Sequence, residues 1–192
     1  MKEQYGDEAI AASLNEYKKG VWGDIKTEIF IREDKYRFFK KNIYPNEMWM
    51  YIPLRFEKIQ GEEMDLYCLC EEVDAIFSNS KRDIQISFRL QEGNMDDIPL
   101  IESMEYIRRC LTIINPEIQT MSVEQILSSS DNAMYYFEYK MLVAGLTVHT
   151  IYCAVPVNEK ITFIKCSCPY HKYVLWKGVF LAMLSTIEIT EE

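Results

Sequence analysis

Residues 134–187 constrain this chain more than any other stretch, because two long β-rich runs, a tight turn, a third run and an apolar segment with helical spacing follow one another there. In the first run Tyr135, Phe137, Tyr139 and Met141 alternate with Glu138 and Lys140, and a period of two sends each set to its own face of a strand. Val143-Ala144-Gly145 supplies a turn, since glycine accepts positive φ, and the chain returns through Leu146-Thr147-Val148-His149-Thr150-Ile151-Tyr152-Cys153. The returning run is apolar on both faces and so belongs inside a sheet. A second turn at Val157-Asn158-Glu159-Lys160 leads into Ile161-Thr162-Phe163-Ile164-Lys165-Cys166-Ser167-Cys168, where Pro169 stops the strand and opens a helix. Along that helix Tyr173, Trp176, Phe180, Met183 or Leu184, and Ile187 recur at steps of three and four, which predicts a buried Trp176. Val174, Leu175, Val179 and Ala182 leave little of the opposite side polar. Such a helix is either packed on two sides or presents an apolar strip to something else.

The other segments are consistent with an α+β domain. At 192 residues the chain is long enough to bury roughly 70% of its unfolded surface without staples, so one domain is expected. Met48-Trp49-Met50-Tyr51-Ile52-Pro53 reads as a strand that ends at an edge, followed by strand candidates at residues 66–70 and 75–78 and a polar turn at residues 79–82. Ile84, Ile86, Phe88 and Leu90 then alternate with Gln85, Ser87 and Arg89, a strand with one buried and one wetted face. Asp96-Asp97 offers an N-cap, and Leu100, Met104, Ile107, Leu111 and Ile114 form a helical stripe opposite Glu102, Glu105, Arg108 and Arg109. Residues 118–127 complete the pattern as a further strand. Before all of this, residues 7–19 show a helix with a thin face of Ile10, Leu14 and Tyr17, and strand-like pieces continue to residue 42. Residues 1–42 are therefore expected to be a peripheral extension, dispensable to a single domain spanning residues 43–192.

In order and in detail, this arrangement resembles the PsbP-like fold family, shared by photosystem extrinsic proteins, a Ran-binding nuclear import factor and many small bacterial proteins. The residues that carry the likeness are Met50-Tyr51-Ile52-Pro53, the strand at residues 84–90, the hairpin at residues 135–152, and Trp176 with Met183-Leu184-Ser185-Thr186-Ile187. The resemblance implies an antiparallel sheet with a long hairpin or meander, flanked by two principal helices. It also implies a role in binding another protein, and some bacterial relatives look like adaptors or chaperones.

Charge narrows the classes of partner. The net charge of −9 argues against nucleic acid as the main ligand, because phosphate contacts need a positive footprint. A basic protein, or one presenting an apolar segment, suits the chain better. No apolar run approaches the ~18 residues of a membrane span, no signal-like segment opens the sequence, and a cytoplasmic protein with six reduced cysteines is expected.

The sharpest chemical features are Cys68-Leu69-Cys70 and Cys166-Ser167-Cys168, since residues two apart on a strand share a face and four thiolates could meet one Zn²⁺. Zinc sites usually place two to four residues between ligands, and a free cysteine is a good core hydrophobe. No metal or cofactor is therefore expected. Cys166 or Cys168 with His149 or His171 could supply nucleophile and base, but no oxyanion-hole motif accompanies them, and no catalytic residue is assigned. The pairs Glu62-Glu63, Glu71-Glu72 and Asp96-Asp97 read as loops or caps. Trp49, Tyr51, Tyr136 and Tyr152 are the candidates for partner contact, if one sheet face is uncovered. The chain reads as a non-enzymatic protein-binding module; the alternative is a thiolate metal-binding protein or a small cysteine-dependent hydrolase.

Overall fold

A computed structural model describes residues 20–61, 64, 73–92 and 99–190. Thirteen described strands form two sheets, and every described pairing is antiparallel. The smaller sheet contains β1 (Val21–Asp24), β2 (Glu28–Ile31), β3 (Asp34–Tyr44), β4 (Met48–Pro53) and the final strand β13 (Glu188–Ile189), in that order. The larger runs β5 (Glu57–Ile59), β6 (Ala75–Ser78), β7 (Gln85–Glu92), β12 (Lys160–Pro169), β11 (Leu146–Val157), β10 (Ala133–Val143) and β8 (Gln119–Thr120), with β9 (Glu124–Leu127) also on β10. Among the described elements are the helices α1 (Leu100–Ile114) and α2 (Tyr170–Leu184).

The meander β10–β11–β12 is continuous, with β11 interior and registered from Val143↔Leu146 to Tyr135↔Ala154 on one side. Its hairpin closes through two residues of positive φ, Ala144 at 48° and Gly145 at 82°. That geometry matches the right-handed twist of the flanking strands, and it costs Ala144 more than it costs glycine. Ile84, Ile86 and Phe88 are buried while Gln85, Ser87 and Arg89 are half-buried, as their alternation predicts.

Helix α2 lies between the two sheets, touching β11 and β12 on one side and β4 on the other. This placement answers the question posed by its apolar circumference: Tyr173, Trp176, Val179, Phe180, Met183 and Leu184 are all buried, split between two layers. Trp176 is 2% exposed, with Tyr36 edge-on at 5.3 Å and Phe56 stacked at 5.9 Å. Helix α1 covers only part of the opposite face of the large sheet, against β10 and β8.

Two expectations need correction. The boundary at residue 42 falls inside β3, and Ile25, Ile29, Ile31 and Phe38 belong to the main core, so residues 21–42 complete the small sheet rather than decorate it. Residues 118–127 form two short strands on one edge of β10, not one. Pro169 ends β12 and leads into α2, as expected, and α1 starts after Pro99 without a side-chain cap. The helix at residues 7–19, the strand at residues 66–70 and the cap at Asp96-Asp97 lie outside the described residues.

Candidate functional site

The four aromatic candidates do not make one surface. Trp49 and Tyr51 are half-buried on β4 of the small sheet, where Lys40 lies 5.6 Å over the Trp49 ring and pairs with Glu188. Tyr136 and Tyr152 are buried on opposite faces of the large sheet. The register explains the separation, since Tyr136 faces Cys153 while Tyr152 faces Phe137, and neighbouring residues of a strand point to opposite sides. The Tyr136 hydroxyl donates to Glu124 Oε2 at 2.5 Å, and the Tyr152 ring stacks on Phe163 at 5.5 Å. Neither is available to a partner in this state.

Among the cysteines, Cys153, Cys166 and Cys168 are buried and Cys110 is half-buried, while Cys68 and Cys70 lie outside the described residues. Cys168 stands directly opposite His149 across β11 and β12, one of the pairings that could supply a nucleophile and base. Burial nevertheless pushes the Cys168 thiol up to about 12, outweighing the nearby Lys172 ammonium, and it pushes Cys153 and Cys166 up as well. A thiol so raised is a poor nucleophile. Among the described residues no three His, Cys, Asp or Glu side chains converge as metal ligands.

The strongest electrostatic feature was not anticipated. Glu138 is 2% exposed, on the face of β10 that α2 covers. Lys177 Nζ lies 2.6 Å from its Oε1, and the Tyr173 hydroxyl donates to Oε2. His149 Nε2 is 3.4 Å from Oε2, an electrostatic approach, for neither ring nitrogen has a well-aligned hydrogen bond; the ring stacks on Tyr173 at 3.3 Å between centroids. Burial by itself would raise the Glu138 carboxyl, but His149, Lys177 and Tyr173 together hold it at about 2. A carboxylate held so low is a poor general base, so the cluster fastens α2 to β10 instead of moving protons. Its sequence signal is the helical spacing of Tyr173 and Lys177, which puts a hydroxyl and an ammonium on one face of an otherwise apolar helix.

Among the described residues, two grooves are roomy enough to take a segment of a ligand. One, of about 590 Å³, lies on the outer face of the large sheet beyond α1. Ile76, Leu111, Met141, Leu146 and Val148 form apolar walls over a floor that includes Gln85, Thr150 and Ser167, the last two joined by a 2.9 Å hydrogen bond. Beside it the hairpin tip exposes Leu142, Val143 and Leu146 at 57%, 44% and 47%. The other groove, of about 550 Å³, opens at the seam of the two sheets between the β2–β3 turn, the loop after β4 and the first half of α2. The turn between β6 and β7, residues 79–84, separates the two: Asn79, Ser80 and Lys81 line the seam groove, Arg82 and Asp83 the outer one.

No family model matches the chain, and no curated protein does. Solved structures do. Cyanobacterial PsbP (CyanoP) from Synechocystis superposes with a TM-score of 0.61 at 15% identity, over 80% of this chain and 92% of that one. LpqN, a protein involved in cell envelope biogenesis of Mycobacterium tuberculosis, does so with a TM-score of 0.52 at 12% identity, over 84% and 95%. The fold is PsbP-like.

Proposed function

We propose that the protein is a non-enzymatic binding module that holds an apolar or amphipathic segment of another polypeptide against the outer face of its large sheet. The observation that carries this reading is the groove of about 590 Å³ beyond α1, with apolar walls and hydrogen-bonding groups on its floor. Leu111, Met141, Leu146 and Val148 can bury side chains of the segment, while Gln85 and Ser167 can meet its backbone amides. The buried, raised thiols and the depressed Glu138 carboxyl offer no activated group beside it. CyanoP and LpqN supply the precedent of the fold alone.

Leu146 is exposed at the hairpin tip, so Leu146→Asp should leave the fold intact while placing a charge on the groove wall. Pull-down from native lysate with the wild-type chain and this variant, at equal melting temperature, is the test. A polypeptide retained by the wild type and lost by Leu146→Asp supports the reading. Identical retention by both, or turnover of a substrate that disappears in Cys166→Ser or Cys168→Ser, overturns it.

A further inference from the structure

The seam groove carries charge opposite to that of the whole molecule. Arg32, Arg55, Lys81 and Lys172 line it, with Asp34 as the one lining carboxylate among the described residues, in a chain whose net charge is −9. Lys172 is committed to Asp83 at 2.7 Å. Arg32, Arg55 and Lys81 are exposed and form no close salt bridge among the described residues, although Lys81 also lies in the field of the Asp83 carboxylate.

The wall that presents Lys81 is built rather than loose. Asn79 Oδ1 accepts from the amides of Asp83 and Ile84 at 3.1 and 3.2 Å, its Nδ2 donates to Asp83 Oδ1 at 2.8 Å, and Lys172 donates to Asp83 Oδ2. That network ties the turn to α2. The backbone that carries Lys81 is thus ordered before any ligand arrives, which lowers the ordering cost of binding there. Ile31, Leu175 and Trp176 supply apolar lining to the same groove.

We infer that the seam groove binds an acidic segment of a partner polypeptide, its carboxylates meeting Arg32, Arg55 and Lys81 and an apolar side chain settling against Leu175. The inference rests on the protein-binding reading for the class of ligand, and on nothing in the outer groove. Guanidinium forks match carboxylates in shape as well as charge. A short segment fits better than a nucleic acid. Attraction at ~0.1 M salt reaches only about 10 Å, and a long polyanion leaving the groove would cross a surface whose net charge is negative.

The full chain is titrated by calorimetry with a short glutamate–leucine peptide, its lysine–leucine counterpart, an uncharged serine–leucine peptide and a single-stranded oligonucleotide. The glutamate peptide is expected to bind, to weaken as salt rises, and to lose roughly tenfold or more in affinity against Arg55→Glu with Lys81→Glu. Leu146→Asp should leave its affinity unchanged. Both reversed positions are exposed, and an unchanged melting temperature confirms the fold. If the double variant does not fold, Lys81→Met replaces it, with a smaller loss expected. Equal binding of lysine and glutamate peptides, indifference to charge reversal, or preference for the oligonucleotide overturns the inference. Binding of the uncharged peptide alone would sink the seam assignment and spare the outer groove, whereas no binding by any peptide would count against both.

Discussion

Replacing Glu138 by Gln keeps the side-chain volume and removes the charge that His149, Lys177 and Tyr173 surround. The carboxyl falls from an ordinary 4.5 to about 2 in the folded chain, and each pH unit of difference between folded and unfolded states is worth about 1.4 kcal/mol. The ionised carboxylate therefore contributes about 3 kcal/mol at pH 7, an upper figure because Lys177 is 41% exposed and its pairing is partly screened. Because the folded value is the lower one, this contribution is complete above the unfolded value of 4.5 and drains away as pH falls toward 2. At pH 3 about 1 kcal/mol should remain. Urea unfolding followed by tryptophan fluorescence at pH 7 and pH 3, for the wild type and Glu138→Gln, reads both gaps. A gap that is the same at the two pH values, or a Gln variant as stable as the wild type at pH 7, would refute the assignment of a buried, ionised carboxylate.

Trp176→Ala removes a ring that Tyr36, Phe56 and Phe180 pack against, and should cost about 3 to 5 kcal/mol in chemical denaturation; unchanged melting would contradict the placement of α2 between the sheets. Deleting residues 1–33 removes β1 and β2, and with them Ile25, Ile29 and Ile31 from the core. That truncation should abolish the cooperative transition seen by circular dichroism, and a sharp melt retained at the wild-type temperature would show the small sheet to be peripheral after all.

What the sequence revealed follows from where one period dominates. The meander, β7, α1 and α2 are long and strongly patterned, so alternation or helical spacing alone places them. β3 shows why the small sheet stayed hidden: of its eleven residues only Phe38 is buried, and such a strand carries little periodic signal. Tyr136 and Tyr152 were joined in expectation because each is an aromatic on a long strand; the cross-strand register that separates them is set by the turn at Ala144 and Gly145. Glu138 lay on the face opposite the Tyr135, Phe137 and Tyr139 set, as alternation requires, yet its burial depends on a helix that arrives some thirty residues later. The seam groove is less legible still, since Arg32, Arg55, Lys81 and Lys172 come from four separate segments that only the two-sheet arrangement brings together.

The sandwiched position of α2 also sets an order of events during synthesis. β1 to β4 leave the ribosome early, yet Ile29, Ile31, Met48, Met50 and Ile52 have their cover in a helix and a final strand translated near the other end of the chain. Until residues 170–190 emerge, the nascent chain carries a sticky, half-made layer that cannot close, and contacts so distant in sequence are slow to form. Made after them, α2 and β13 thus act as the latch on the strands of the small sheet.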